Sequence, residues 1–551
     1  MLPNRYTPSL IERYTRTGLW RQVPTILQQI DIHASNWPSK EALVDANSRL
    51  SWGDVKLWTD RVALGLLDLG LSRDSVVMAQ LPNVVETWLL RFSFQKAGII
   101  GLTTPMRFGF RELAHLLRET EAIGLVVAPE YMDKEYWSNL ERIRKDLPRL
   151  QHLFVVGEGW PKGTVSIKRM AEETIETRYP PDHLKHTMVR LLEVEALINT
   201  SGTTGLPKAI EYVALPCSVQ EIYILSWRLT PDDVMGALIP LYGGAAATCW
   251  NVAPWLGSKV VMLEKFDPEE ALRVIERERI TVANGVPTQM VRMVNHPRFS
   301  KYDLSSLRYF VYSGAACPPA LARKVEEAMG CIVLTFYGAT EVAGLTMLTP
   351  DDPPEKRYLS IGRPRPGVEI RLLDQEGRDV SPGEVGEIVG QGATCPSGYF
   401  RDIEATRVAW GGELDGWYRT GDLGRFDEES YLYLMGRKKD VIIRGGQNII
   451  PAEVEHLLCS HPAVAQAAII PMPDEELGER VCAFVSLKSG RTFDFEEMIA
   501  FLKSKDLAVY KLPERLEIKE EFPESAGEKI SKKELIEEIT QKLRGEGKIR
   551  S

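Results

Sequence analysis

VVMAQLPNVVETWLLRFSFQKAGIIGL, residues 76–102, sets the architecture of this chain. Its first six residues, Val76 to Leu81, form a short uncharged apolar run, as expected of a strand buried on both faces. A helical stretch follows through Ala97, and Gly98-Ile99-Ile100-Gly101-Leu102 reads as the next strand. The rhythm continues with a helix from about Phe110 to Glu119 and a strand at Gly124-Leu125-Val126-Val127. Strands alternating with helices imply right-handed crossovers and a mainly parallel sheet. The same alternation returns between 255 and 345, with strands near Lys259–Leu263, Val282–Val286, Tyr309–Tyr312 and Ile332–Phe336. The expected class is α/β, with mixed, mainly parallel sheets covered by helices in a large N-terminal domain.

After about residue 360 the texture changes. Gly, Pro and short alternating runs such as Val368-Glu369-Ile370-Arg371-Leu372-Leu373 and Gly386-Glu387-Ile388-Val389 predict a β-rich module over about 360–435. The charged segment Gly436-Arg437-Lys438-Lys439-Asp440 marks a boundary. It divides an N-terminal domain, 1–436, from a small α+β C-terminal domain, 437–551. In the latter a helix opens with Pro451, strands are expected at Val464–Pro471 and Arg480–Leu487, and helices at about 494–504 and 532–544.

Composition removes several function classes. A chain of 551 residues is too long for one core. Its apolar and charged fractions, 44% and 26%, are ordinary for a globular protein. A formal net charge of −9 argues against a broad nucleic-acid surface, although a few local cations suffice for the phosphates of a nucleotide. The seven cysteines are odd in number and include no Cys-x-x-Cys pair. Neither a disulfide framework nor a zinc site is expected, and a reducing cytoplasm fits. No apolar run of about 18 residues predicts a membrane span or a signal peptide.

The densest chemical signal is Thr200-Ser201-Gly202-Thr203-Thr204-Gly205-Leu206-Pro207-Lys208, directly after the apolar strand Ala196-Leu197-Ile198. Glycines permit a tight turn with little bulk. Hydroxyls, backbone N–H groups and one ammonium suit polyphosphate oxygens. The spacing is not that of a Walker A loop, and a plain Ser/Thr/Gly surface turn is the alternative reading.

SGTTGLPK resembles the phosphate loop of the acyl-adenylate-forming superfamily, which comprises acyl-CoA synthetases, aryl-acid–AMP ligases, peptide-synthetase adenylation domains and luciferases. Further blocks follow in that family's order over about residues 40–540. Tyr337-Gly338-Ala339-Thr340-Glu341 is similar to its adenine and magnesium motif, and Tyr418-Arg419-Thr420-Gly421-Asp422 to its ribose motif. Gly436–Asp440 resembles its hinge, with Lys439 as the pivot, and Gly445-Gly446-Gln447 its thiol-tunnel loop. Lys529 resembles its C-terminal catalytic lysine.

The resemblance implies ATP, Mg²⁺ and either CoA or a phosphopantetheinyl carrier protein. It also implies roles. Lys529 would bridge the substrate carboxylate and the α-phosphate, since both reactants are anions and cations must offset their repulsion. Glu341 is a hard oxygen ligand for Mg²⁺, and Thr340 would donate to the α-phosphate. Thr200 to Gly205 and Lys208 would hold the remaining phosphates, Asp422 and Arg437 the ribose. Tyr337, Gly338, Ala339, Gly314, Ala315 and Ala316 would flank the adenine. Tyr242, Gly243, Gly244 and Gly338 would line the acid pocket. Read without the family, Lys529 is a solvated lysine, Glu341 a helix cap and Asp422 a turn residue.

Four departures from the family pattern stand out. Glu528 precedes the lysine where Gly is usual. Ala209 follows Lys208, and Val213-Ala214 replaces a Thr-His pair. Gly243 and Gly244 stand where an aromatic or His is common. The N-terminal segment through Trp20 resembles dihydroxybenzoate–AMP ligases, yet Gly244 occupies the place of the Asn that reads an aryl hydroxyl there. The small run Gly243–Ala247 predicts a roomy apolar pocket. The expected function is an AMP-forming acid–CoA ligase for a medium-sized apolar or aromatic carboxylate. The alternatives are a stand-alone aryl-acid adenylation enzyme that loads a carrier protein and a degenerate nucleotide-binding regulator. Any self-association is expected to be a homodimer, in the cytoplasm.

Overall fold

The computed structural model puts Val76–Gln80 in the middle of a seven-stranded sheet. It describes residues 6–548 except 22, 133, 158–162, 201–205, 216–218, 412–415, 475 and 526–528; the side chains of residues 134, 135, 219, 524, 525 and 529 also lie outside the description. The sheet order is Val165–Ser166, His152–Val155, Gly124–Val127, Val76–Gln80, Ile100–Thr104, Val194–Asn199 and Ala209–Val213. All neighbours are parallel except the last pair, which forms an antiparallel hairpin around the Thr200–Lys208 loop.

A nine-stranded sheet carries the second alternation. Its parallel centre comprises Glu41–Val44, Lys259–Met262, Val234–Ala237, Val282–Gly285, Tyr309–Tyr312 and Ile332–Ala339. Antiparallel strands Arg49–Ser51 at one edge, and Ala343–Met347 with Arg363–Pro364 at the other, complete it. The strand expected to end at Phe336 runs on to Ala339, because Ala343–Met347 folds back and pairs with its last residues.

The helix Val85–Ala97 explains why these two sheets share one body. All its residues but Glu86 and Arg91 are buried. Trp88, Leu89 and Phe92 pack in the cluster that holds Met235, Ala237 and Val260 of the nine-stranded sheet. Leu90, Phe94 and Ala97 pack with Val77 and Ala79 of the seven-stranded one. A helix buried on nearly every side is a central layer rather than a surface element. It stops at Gly98, in the left-handed region at φ 72°, where a Cβ would lie 2.5 Å from the Thr187 carbonyl oxygen.

Asn83 ties the sheets together just before that helix. Its buried amide nitrogen donates to the carbonyls of Ala237, Ile239 and Leu263 at 3.0–3.2 Å, and its oxygen accepts from the Leu241 N–H at 3.1 Å. Asn83→Leu strands these buried groups without partners. An expected loss of about 3 kcal/mol is checked as a lowered urea midpoint.

Strands Val368–Leu373, Gly386–Gly392, Tyr418–Phe426 and Leu432–Arg437 form a four-stranded antiparallel sheet. Asp422 lies inside its third strand, Tyr418–Phe426, and so is not a turn residue. A 3₁₀ turn, Lys438–Asp440, leads to a separate five-stranded sheet. Against the latter pack Pro451–Cys459, Phe495–Ser504 and Lys532–Gly545, the last through Leu535, Ile539 and Leu543. His461 sits between Phe493 and Phe501, a packing position. No described helix is long and apolar enough to cross a membrane.

Candidate active site

The carboxyl ends of strands from both large sheets open into one cavity of about 2000 Å³. That is the usual ligand position in open α/β sheets. Thr200 and Lys208 reach it from the seven-stranded sheet. Their backbones close the loop base: the Thr200 N–H donates to the Lys208 carbonyl at 2.9 Å, and the Lys208 N–H to Thr200 Oγ1 at 3.1 Å. The Lys208 ammonium lies 4.6 Å from the centre of the Tyr399 ring, a cation–π contact that fixes its direction. Ser201, Gly202, Thr203, Thr204 and Gly205 lie outside the described residues.

The nine-stranded sheet supplies the opposite wall. Gly314, Ala315 and Ala316 follow the strand Tyr309–Tyr312, with Gly314 at φ 84°. Tyr337, Gly338, Ala339, Thr340 and Glu341 occupy the hairpin between Ile332–Ala339 and Ala343–Met347, and all five line the cavity. Glu341 therefore caps no helix; it stands in the hairpin's turn. Burial holds its carboxyl above the ordinary carboxylate range, against the pull of the Tyr418 hydroxyl and the Arg437 guanidinium. The Tyr212 hydroxyl donates to the Thr340 carbonyl at 3.0 Å and pins the turn to the other large sheet.

Asp422 and Arg437 are cross-strand partners in the four-stranded sheet, so both face the cavity from the same register. The Asp422 carboxylate accepts from the Tyr337 hydroxyl at 2.8 Å and pairs with the Arg437 Nε at 3.2 Å. Asp422 has one oxygen aimed at each neighbour, which fixes the carboxylate's orientation at the cavity wall. Lys439 lines the same cavity from the 3₁₀ turn. Tyr242, Gly243 and Gly244 line a further stretch of the same cavity. Arg107 donates to the Tyr242 hydroxyl at 3.3 Å, while a Cβ added at Gly243 or Gly244 would meet nothing within 4 Å.

One group of expected site residues is not gathered here, and the side chain of another lies outside the description. Gly445, Gly446 and Gln447 form the turn of the hairpin Ile442–Arg444/Gln447–Ile449, with both glycines at positive φ. They are not among the cavity-lining residues. Lys529 opens the two-residue strand Lys529–Ile530, paired with Glu524–Ser525, and its side chain lies outside the description. Its neighbours Ile530, Ser531, Lys532 and Lys533 line the cavity. The sequence reading missed Tyr212, Tyr399 and Tyr418. Tyr418 was quoted as part of a motif and given no role; Tyr399 follows Gly398 in a short Pro-Ser-Gly-Tyr turn, the only signal that pointed to it.

Comparison with known proteins agrees with this geometry. The model of the AMP-binding enzyme family matches residues 30–400, and that of the AMP-binding enzyme C-terminal domain matches 453–529. The 2,3-dihydroxybenzoate-AMP ligase of Bacillus subtilis is 31% identical over 556 residues, 98% of this chain and 98% of that protein. The mouse mitochondrial medium-chain acyl-CoA ligase ACSF2 is 31% identical over 546 residues, 94% of this chain and 88% of that protein. Among solved structures, the anthranilate CoA ligase AuaEII in complex with anthranoyl-AMP superposes with a TM-score of 0.82 at 25% identity, covering 96% of this chain and 98% of that one. ATP-bound MatB of Rhodopseudomonas palustris superposes with a TM-score of 0.80 at 26% identity, covering 94% and 99%. The chain belongs to the AMP-binding enzymes. Within that family it is an AMP-forming acid–thiol ligase.

Proposed function

We propose that this enzyme is an acid–CoA ligase: it adenylates a medium-sized carboxylic acid with an apolar or aromatic body, releases pyrophosphate, and passes the acyl group to the thiol of CoA. The observation that carries the reading is the convergence of Lys208, Thr340, Glu341, Asp422 and Arg437 on one cavity that opens beside Gly243 and Gly244. Cations and hydroxyl donors converging from three sheets suit a triphosphate. The open, side-chain-free stretch at Gly243 and Gly244 suits an acyl group.

In this reading Lys208 and the loop before it hold the leaving phosphates. Asp422 accepts from the ribose hydroxyls, its position set by Tyr337 and Arg437. Gly314–Ala316 and Tyr337 flank the adenine. The donor chemistry at Glu341 fits Mg²⁺, which takes few protein ligands and relies on phosphate and water oxygens. Glu341 would hold the ion, whose charge would offset that developing on the phosphates, and the Thr340 hydroxyl would donate to the α-phosphate. Lys529 then supplies the cation between the two reacting anions. The C-terminal domain is proposed to pivot at Lys439, withdrawing Lys529 and bringing Gly445–Gln447 to the thiol's path.

The test is acid-dependent ATP–pyrophosphate exchange across a panel of carboxylic acids, followed by an acceptor assay. Exchange with at least one acid and thioester formation on free CoA are expected. Exchange followed by transfer only to a phosphopantetheinyl carrier protein would replace CoA as acceptor. No exchange with any acid would remove the adenylation reading. Gly243→Trp probes the acid side: the added indole fills the open space, and kcat/KM for the larger acids is expected to fall at least about tenfold while the smallest are spared. An unchanged acid profile would move the pocket elsewhere.

A further inference from the structure

Arg365 is a buried cation that the adenylation machinery does not use. Only 3% of its surface is exposed, and among the described residues no carboxylate pairs with it. Its guanidinium donates to two neutral acceptors, the Tyr223 hydroxyl and Thr394 Oγ1. Its buried Nε has no partner at all. Arginine cannot shed its charge by deprotonation, and a buried charge without a counter-ion is costly. Such a group calls for a ligand of opposite sign.

The surroundings are arranged to admit one. Arg365 lines the same cavity as the acid wall, together with Gln220, Tyr223, Phe336 and Gly344. Gly344 has no side chain where one would collide: a Cβ there would lie 2.7 Å from Arg365 Nη1 and 3.4 Å from the Tyr223 hydroxyl oxygen. Gln220 stands one helical turn before Tyr223, and its buried amide oxygen also lacks a partner. Gly344 pairs directly across the hairpin with Gly338, which by the family resemblance lines the acid pocket. Opposed strand residues lie about 5 Å apart. An acyl group that passes over Gly338 therefore reaches Gly344 and the guanidinium beyond it.

We infer that the substrate is a dicarboxylic acid: one carboxylate is adenylated, and the second, at the far end of the acyl group, is held by Arg365 with Tyr223 and Gln220 beside it. A carboxylate matches the fork of guanidinium donors and supplies the missing counter-charge. The apolar body of the acid lies between, against Phe336 and the glycine floor. The inference rests on the acid–CoA ligase reading and narrows its substrate.

The test compares diacids with monoacids of equal length in pyrophosphate exchange: adipate with hexanoate, suberate with octanoate, terephthalate with benzoate. The diacid of at least one pair is expected to have the higher kcat/KM by roughly 10–100-fold, the range of a charge-assisted hydrogen-bonded pair. Arg365→Gln is expected to bring that ratio towards one, with Arg365→Lys between. Gly344→Ala, which displaces the guanidinium, reduces it by a separate route should the Arg365 variants fail to fold. Exchange with monoacids and none with diacids in the wild-type enzyme would overturn the inference and leave the ligase reading standing. A diacid preference that survives in folded Arg365→Gln would also overturn it. Absence of exchange with every acid would instead sink the ligase reading itself.

Discussion

Replacing Lys529 by alanine is expected to lower acid-dependent ATP–pyrophosphate exchange by about 10²–10³-fold, the loss typical of one preorganised charge stabiliser, while acyl transfer from supplied acyl-adenylate to CoA survives. The difference between the two half-reactions follows from charge. Adenylation brings a carboxylate against a triphosphate, and a cation between them offsets the repulsion. In thioester formation the thiol attacks the acyl carbon of an adenylate already made, whose carbonyl no longer carries the carboxylate's charge. The structural support is the fixed base of the lysine's strand. Ser531 follows the Lys529–Ile530 strand; its N–H donates to the Pro523 carbonyl at 2.7 Å and its own carbonyl accepts from Leu535 in the helix Lys532–Gly545. That helix is packed on the C-terminal sheet through Leu535, Ile539 and Leu543, and Lys532 is paired with Glu455 at 2.7 Å. In the proposed pivot Lys529 moves with this sheet and helix. Both rates are measured on one preparation: exchange by label in ATP, transfer by thioester yield from synthetic adenylate. Equal loss in the two assays would contradict the proposed pivot at Lys439.

Periodicity located many of the elements, and two of the strands it missed share one cause. Val76–Gln80, Phe110–Glu119, Gly124–Val127 and Lys259–Met262 stand within a residue or two of where apolar runs put them. A buried parallel strand and a helix between sheets each impose an unmistakable pattern. Antiparallel edges do not. Ala209–Val213 and Ala343–Met347 pair with strands whose partners are fixed by tertiary contact, so neither edge was readable. The same holds at the site. The blocks around Lys208, Glu341 and Asp422 were legible because their chemistry is dense in a few residues. Tyr212, Tyr399 and Arg365 were not: each acts through a neighbour more than 120 residues distant, and one sequence carries no sign of such pairings. Arg365 also looks, in Arg363-Pro364-Arg365-Pro366, like a surface turn residue until burial shows otherwise.

Gly338→Ala should be nearly as damaging as the loss of Lys529, although it removes no functional group. Gly338 sits at an irregularity in the hairpin register, opposite Gly344. A Cβ there would lie 1.7 Å from the Ala343 carbonyl oxygen, 2.7 Å from its carbon and 2.9 Å from the Gly344 Cα. These are backbone atoms, so no rotamer change relieves the clash, and the two strands must separate. Ala343, already at φ 57°, has little freedom to follow. The displacement reaches three proposed contacts at once. Tyr337 draws away from Asp422, the Thr340–Glu341 turn shifts on its Tyr212 anchor, and the acid pocket loses its floor. A misplacement of about 1 Å costs on the order of 10²-fold in rate, and overpacking of this kind about 1–3 kcal/mol in stability. The expected result is a lowered Tm together with exchange reduced about 10²–10³-fold and a raised KM for ATP. Gly545→Ala, in a helix where the added methyl meets nothing within 4 Å, controls for a generic glycine effect. If Gly338→Ala melts and exchanges like the parent, this hairpin does not position the nucleotide, and the functions assigned to Tyr337, Thr340 and Glu341 fall together.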